Sequence, residues 1–146
     1  MRIPPEILEM QKNYINLYIF ETLLTQNLQI VLTANNGNDW IKKIDFFNKK
    51  EQDKILESNY NAKKLILGFW TGLFHKFYYD SIWKDNNNIE KMFPKLKSKQ
   101  RNIKIIESDL NQIRLFRNKI FHFEIIQLNE IQNYENILLK YTTGLI

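Results

Sequence analysis

Two histidines and no cysteine stand in this chain of 146 residues, so only His75 and His122 carry a side chain that titrates near neutrality when unperturbed. His122 has the richer setting. The stretch 114–124 reads Arg-Leu-Phe-Arg-Asn-Lys-Ile-Phe-His-Phe-Glu, which gathers two arginines, an amide and an imidazole in one segment. An imidazole can take or supply a proton at neutral pH, and a guanidinium can hold two oxygens of an anion at once. Asn118 can orient either partner, or it can fix neighbouring helices by a hydrogen bond. His122 equally suits a capping place at a helix end. His75, inside Leu73-Phe74-His75-Lys76-Phe77, reads as an imidazole bonded to backbone or water. Metal chemistry has no support: no His-x-x-x-His pair and no Glu/His cluster at ligand spacing occurs, and no cofactor is implied.

The elements that must position these groups are helices. Ile103, Ile106, Leu110, Ile113, Phe116, Ile120 and Phe123 recur at threes and fours, the period of one buried stripe on a long amphipathic helix. Asn118 and His122 lie off that stripe and four apart, so they share a face, with Arg114 one turn earlier and Arg117 on the flank. A first helix is predicted from Pro5 to about Ala34, stopped by Asn35-Asn36-Gly37-Asn38. Trp40, Ile44 and Phe47 mark a short amphipathic segment, and 51–58 a polar helix. From 61 to 83 the chain is apolar nearly all round, as expected of a central helix packed on several sides. Gly68 and Gly72 within it would let another helix approach closely. Asp85 to Asn88 reads as a breaker, Phe93-Pro94 as a loop whose ring enters the bundle, and 131–141 as a closing helix. No β alternation, phosphate-binding glycine loop, repeat or low-complexity linker is present. The reading is one all-α domain over 1–146.

A formal charge of +5 would favour a polyanionic partner, although a bias towards Lys, Asn and Ile explains part of it as solvated surface. The cluster Lys95, Lys97, Lys99, Arg101 and Lys104 leads into the motif helix and is the more suggestive part. Lack of cysteine fits a reducing compartment, and Pro4, Pro5, Glu6 and Glu9 stand where a signal peptide needs an apolar core. No uncharged apolar run reaches the roughly 20 residues that span a bilayer. A soluble cytoplasmic protein without membrane contact is expected.

Arg117-Asn118-Lys119-Ile120-Phe121-His122 resembles the arginine, four to six residues, histidine signature of HEPN domains, helical proteins that often act as RNases in toxin–antitoxin and phage-defence systems. Gly68-Phe69-Trp70, Leu73-Phe74, the aromatic run to Trp83 and Phe93-Pro94 precede it in the order of the Abi-like branch. Glu21 is similar to an acidic residue on that family's early helix, and Asp39-Trp40 to the Asp-Trp pair that follows. The family's Arg-Asn after the acid has no counterpart, since Thr25 and Gln26 stand there. The resemblance runs from about Tyr14 onward. It implies a HEPN-like bundle and metal-independent cleavage of RNA, in which the 2′-hydroxyl attacks the phosphate to leave a 2′,3′-cyclic phosphate and a 5′-hydroxyl. Arg117, His122 and Asn118 would be catalytic, with Arg114, Lys119, Glu21, Lys99 and Arg101 contacting substrate. One chain offers one such histidine, so the resemblance implies a homodimer sharing a cleft, with Leu115 and Phe121 flanking the covered face. A cognate antitoxin is a further expected partner. Where some HEPN toxins carry a modifiable tyrosine this chain has Glu124, which gives that mode of neutralisation no support. The rival expectations are a silent RNA- or nucleotide-binding module and a helical dimerisation domain.

Overall fold

The computed structural model describes residues 2–146, and these form helices, turns and loops with no strand. The protein is all-α. The first helix, α1, spans Pro5–Asn36, with proline at its start and Gly37 at φ 93° just beyond its end. Pro5 suits a first turn because its missing N–H has no helical partner there, and glycine reaches positive φ without a Cβ penalty. Leu17, Phe20, Leu24, Leu28 and Val31, at threes and fours, are buried along one side of α1.

Two 3-10 turns, Trp40–Lys42 and Ile44–Phe46, lead to α2 at Lys49–Glu57, capped by the Asn48 side chain. The expected central helix over 61–83 is not continuous. It breaks into a 3-10 turn at Ala62–Lys64, a short α3 at Leu67–Gly72, another 3-10 turn at Lys76–Tyr78 and a π turn at Tyr79–Trp83. Polar side chains take the backbone at the breaks: His75 Nδ1 accepts the Phe77 N–H at 3.1 Å, and Trp83 Nε1–H donates to the Leu73 carbonyl at 2.7 Å. Packing supplies the rest. Phe69, Trp70, Phe74, Tyr78 and Trp83 are all buried, and Phe74 stacks on Trp83 with centroids 4.5 Å apart.

Asp85 starts a helix where a breaker was expected, its carboxylate accepting the Asn87 N–H at the head of α4, Asn86–Met92. Phe93 is buried against Phe74 and Tyr141, as the Phe93-Pro94 reading expects. After a 3-10 turn at Ser98–Gln100, α5 runs Ile103–Phe121, two residues short of the expected stripe, and α6 runs Leu128–Leu145, longer at both ends than the 131–141 its periodicity indicates. Helix α1 lies along α6 and also touches α3, α4 and α5. Ile106, Leu110, Ile113, Phe116 and Ile120 of α5 are buried as predicted. No helix is long and apolar enough to cross a membrane among the described residues.

Three polar ties fix the stacking. Asn27 of α1 donates to the Met92 carbonyl at 2.8 Å and the Leu145 carbonyl at 3.2 Å. Tyr141 of α6 donates to Asp109 of α5 at 2.6 Å. Tyr78 donates to the buried carboxylate of Glu51 at 2.6 Å while its oxygen accepts the Asn48 N–H at 2.9 Å. Burial and then that bond to Glu51 push the Tyr78 phenol well above its ordinary value of 10. A proton held more tightly folded than unfolded stabilises fully below the unfolded value and is lost as pH climbs past it. Stability should therefore fall above about pH 10. Tyr78→Phe should lose about 2 kcal/mol at neutral pH by stripping a buried carboxylate of its donor. Urea midpoints against pH should also show a shallower alkaline decline in the variant, and an unchanged slope would refute the assignment.

Candidate functional site

Helix α5 ends one residue before the histidine, at Phe121, and the termination determines where the site residues point. The His122 N–H donates to Asn118 O at 2.9 Å, Phe123 N–H to Ile120 O at 3.1 Å and Glu124 N–H to Lys119 O at 2.9 Å. The last two bonds are the 5→2 and 6→1 pair of a Schellman turn, in which the residue after the cap is ordinarily glycine. Here it is Phe123, at φ 56°. A bulky L-residue in the left-handed region costs about 1–2 kcal/mol. Phe123 was expected to close the buried stripe of α5; it is instead 83% exposed, because the chain has left the helix by that point. His122 is the exposed helix cap.

Arg117 and His122 are five residues apart, so at 3.6 residues per turn they point about 140° apart around the axis. They do not share a face within one chain. Arg117 faces α1, where its Nε–H donates to Glu21 and its guanidinium lies 4.4 Å from the centroid of the Phe121 ring. Phe121 in turn meets Tyr14 edge-on at 5.5 Å. Both partners of the ion pair are about three-quarters buried, which fixes Arg117 through Nε, while neither terminal nitrogen makes a hydrogen bond among the described residues.

Arg114, Asn118 and His122 do follow one another along a second, partly exposed face, as their spacing predicts. Arg114 turns towards α2 and α3, lining a polar pocket of about 360 Å³ with Glu51, His75, Glu107 and Asn111. The glycines expected to admit another helix do something different there. A Cβ on Gly68 would sit 3.3 Å from Lys54 Nζ and one on Gly72 3.2 Å from Glu51 Oε2, so the bare helix face makes room for charged side chains. Burial and the neighbouring Lys50 lower the Lys54 pKa, with Arg114 adding to the effect.

The remaining expected contacts lie elsewhere. Lys119 donates to Glu130 of α6 at 3.1 Å, a bond that raises its pKa, and is committed to that structural pair. Lys99 is exposed and Arg101 half-buried before the start of α5, about 27 Å from His122 by the length of that helix. The structure does not bring those two to Arg117 and His122. No group of three metal-ligating side chains occurs among the described residues. Tyr14 was missed as a neighbour of the site; it lies on the first helix, and its only sequence signal was an aromatic on a half-buried face.

No family model, no curated protein and no solved structure matches this chain significantly. The site thus rests on its own geometry. The left-handed Phe123 provides a direct check: Phe123→Gly should stabilise the protein by about 1 kcal/mol in urea unfolding, because strain is relieved and an exposed ring surrenders little packing. A destabilised variant would show that the ring is held by contacts stronger than the strain.

Proposed function

We propose that the chain is a HEPN-like, metal-independent endoribonuclease, of the kind that serves as a toxin or abortive-infection effector, with Arg117, Asn118 and His122 at its site. The observation that carries this reading is the state of Arg117. The hydrogen bond to Glu21 is made through Nε, so the guanidinium is oriented by α1, and its terminal nitrogens, which make no hydrogen bond among the described residues, are left to meet phosphate oxygens. His122 is exposed at the helix cap, where an imidazole can take the 2′-hydroxyl proton or protonate the departing 5′-oxygen. Arg117 then neutralises the charge on the phosphorane. Asn118 stands on the histidine's face to orient it.

The 140° divergence of Arg117 and His122 fits a composite site in which a second copy supplies the missing group. Leu115, Phe121, Phe123 and Ile125 leave apolar surface beside the histidine, at 45%, 46%, 83% and 80% exposure. A homodimer covering that surface would bring two α5 ends together. The second reading, a nucleic-acid-binding module without cleavage, is favoured by one specific feature: Arg117 and His122 are not apposed within a chain.

Purified protein should cut labelled RNA in excess EDTA and spare DNA of the same sequence. His122→Ala should lower the rate by about 10²–10⁴. Arg117→Lys should stay strongly impaired, because lysine keeps the charge and loses the planar fork. RNA binding should survive both changes better than turnover. Loss of binding in both variants with folding intact would favour the binding module.

Light scattering should report a dimer that Ile125→Lys or Leu115→Lys breaks, with activity falling alongside. A monomer that still cleaves RNA would refute the composite site.

A further inference from the structure

A broad concavity lies at the opposite end of α5 from His122. Its volume is about 760 Å³, and its walls come from the π turn, from α4 and from the entry to α5. That size falls within the range of small-molecule pockets, about 300–1,000 Å³. Three cations, Lys76, Arg101 and Lys104, line it against the single carboxylate of Glu107. Tyr79 adds an aromatic ring that is 44% exposed. The π turn that carries Tyr79 closes with a Lys84 N–H to Tyr79 O bond at 2.7 Å, which holds this ring at the rim while Trp83, four residues on, is buried in the floor.

Arg101 carries a buried polar atom in the wall that has no partner. One terminal nitrogen donates to the Pro94 carbonyl at 3.3 Å, and its Nε is buried with no partner at all. A buried donor of a charged group without an acceptor is destabilising by more than a neutral one, and an anion in the cleft, met by the terminal nitrogens of the same guanidinium, would offset that cost. Asn102 is already used, its side chain accepting the Lys104 and Ile105 N–H groups, so the anion's partners are the cationic side chains. Asn86 adds an amide able to meet the edge of a base.

We infer that this cleft binds a nucleotide, its phosphate held by Arg101 and Lys104 and its base stacked on Tyr79. The site is separate from Arg117 and His122 and does not rest on the cleavage proposed for them. A free nucleotide and one unit of a single-stranded RNA offer the same base and phosphate. Binding to adenosine monophosphate, oligoadenylate and inorganic phosphate, measured by calorimetry on the full chain, distinguishes these sources. Either nucleotide ligand should bind at least about tenfold more tightly than phosphate, since stacking on one aromatic is worth about that factor or more. Tighter binding of the monophosphate identifies a free nucleotide, and tighter binding of the oligonucleotide a strand. Tyr79→Ala should weaken the preferred ligand about tenfold while Tyr79→Phe keeps it. Lys104→Ala, at an exposed position, should weaken it and reduce its salt dependence. Arg101→Ala should weaken it further, with thermal melting used to confirm that the 94–101 loop still folds. Equal affinity for phosphate and nucleotide, or full affinity in Tyr79→Ala and Lys104→Ala, overturns the inference.

Discussion

The burial of one side of α1 is the constraint on which the rest of the structure depends. That helix is 32 residues long, about 48 Å, and every other long element is placed by contact with it. Phe20, Leu24, Leu28, Val31 and Leu32 are fully buried along it, each contributing roughly 1.5–3 kcal/mol of burial before conformational entropy is charged against it. The polar residues on the same helix act at defined points along its length. Asn13 ties it to Glu135, Glu21 to Arg117 and Asn27 to the ends of α4 and α6. A shift of α1 along its axis would therefore break hydrophobic contacts and move Arg117 together.

Those ties explain why a mostly helical chain with a short α3 and several single-turn elements still holds one arrangement. A six-residue helix is far too short to be stable alone. What holds 61–83 is aromatic packing joined to buried hydrogen bonds: Tyr78 to Glu51, Trp83 to Leu73 and Asn88 to Ile82. Glu51 shows the trade involved. Its carboxylate is buried, so it is tolerable only with the Tyr78 hydroxyl as donor, and Gly72 leaves it the space it occupies.

How much of this was legible in the sequence follows from the kind of interaction involved. Helices α1, α5 and α6 rest on period-3.6 burial, and Leu110, Ile113, Phe116 and Ile120 announce α5 directly. Residues 61–83 defeated the same reasoning because apolar side chains on all sides carry no phase, and the breaks come from His75 and Trp83 bonding to backbone. A capping place for His122 was legible, but the Schellman turn was not, since Phe123 stands where the signal would be glycine. The Glu21–Arg117 pair joins residues 96 positions apart, and no local pattern encodes it. Glu21 entered the reading only through a resemblance of its helix. Lys99 and Arg101 precede the motif helix closely in the chain, yet the length of α5 leaves them at its other end.

That separation of the two ends of α5 bears on how the molecule would handle a charged ligand. A straight helix of 19 residues transmits position faithfully but holds its ends about 27 Å apart, well beyond the Debye length of roughly 8 Å at physiological ionic strength. Charge at Arg101 and Lys104 therefore does little to the electrostatics at Arg117. Any cooperation between the ends must be mechanical, through the packing of α5 on α1 and α6, or must come from one ligand long enough to touch both. A single strand of several nucleotides can span such a distance and a mononucleotide cannot. If both ends bind as proposed, they would act as independent sites towards small ligands, and as parts of one surface only towards an extended polyanion.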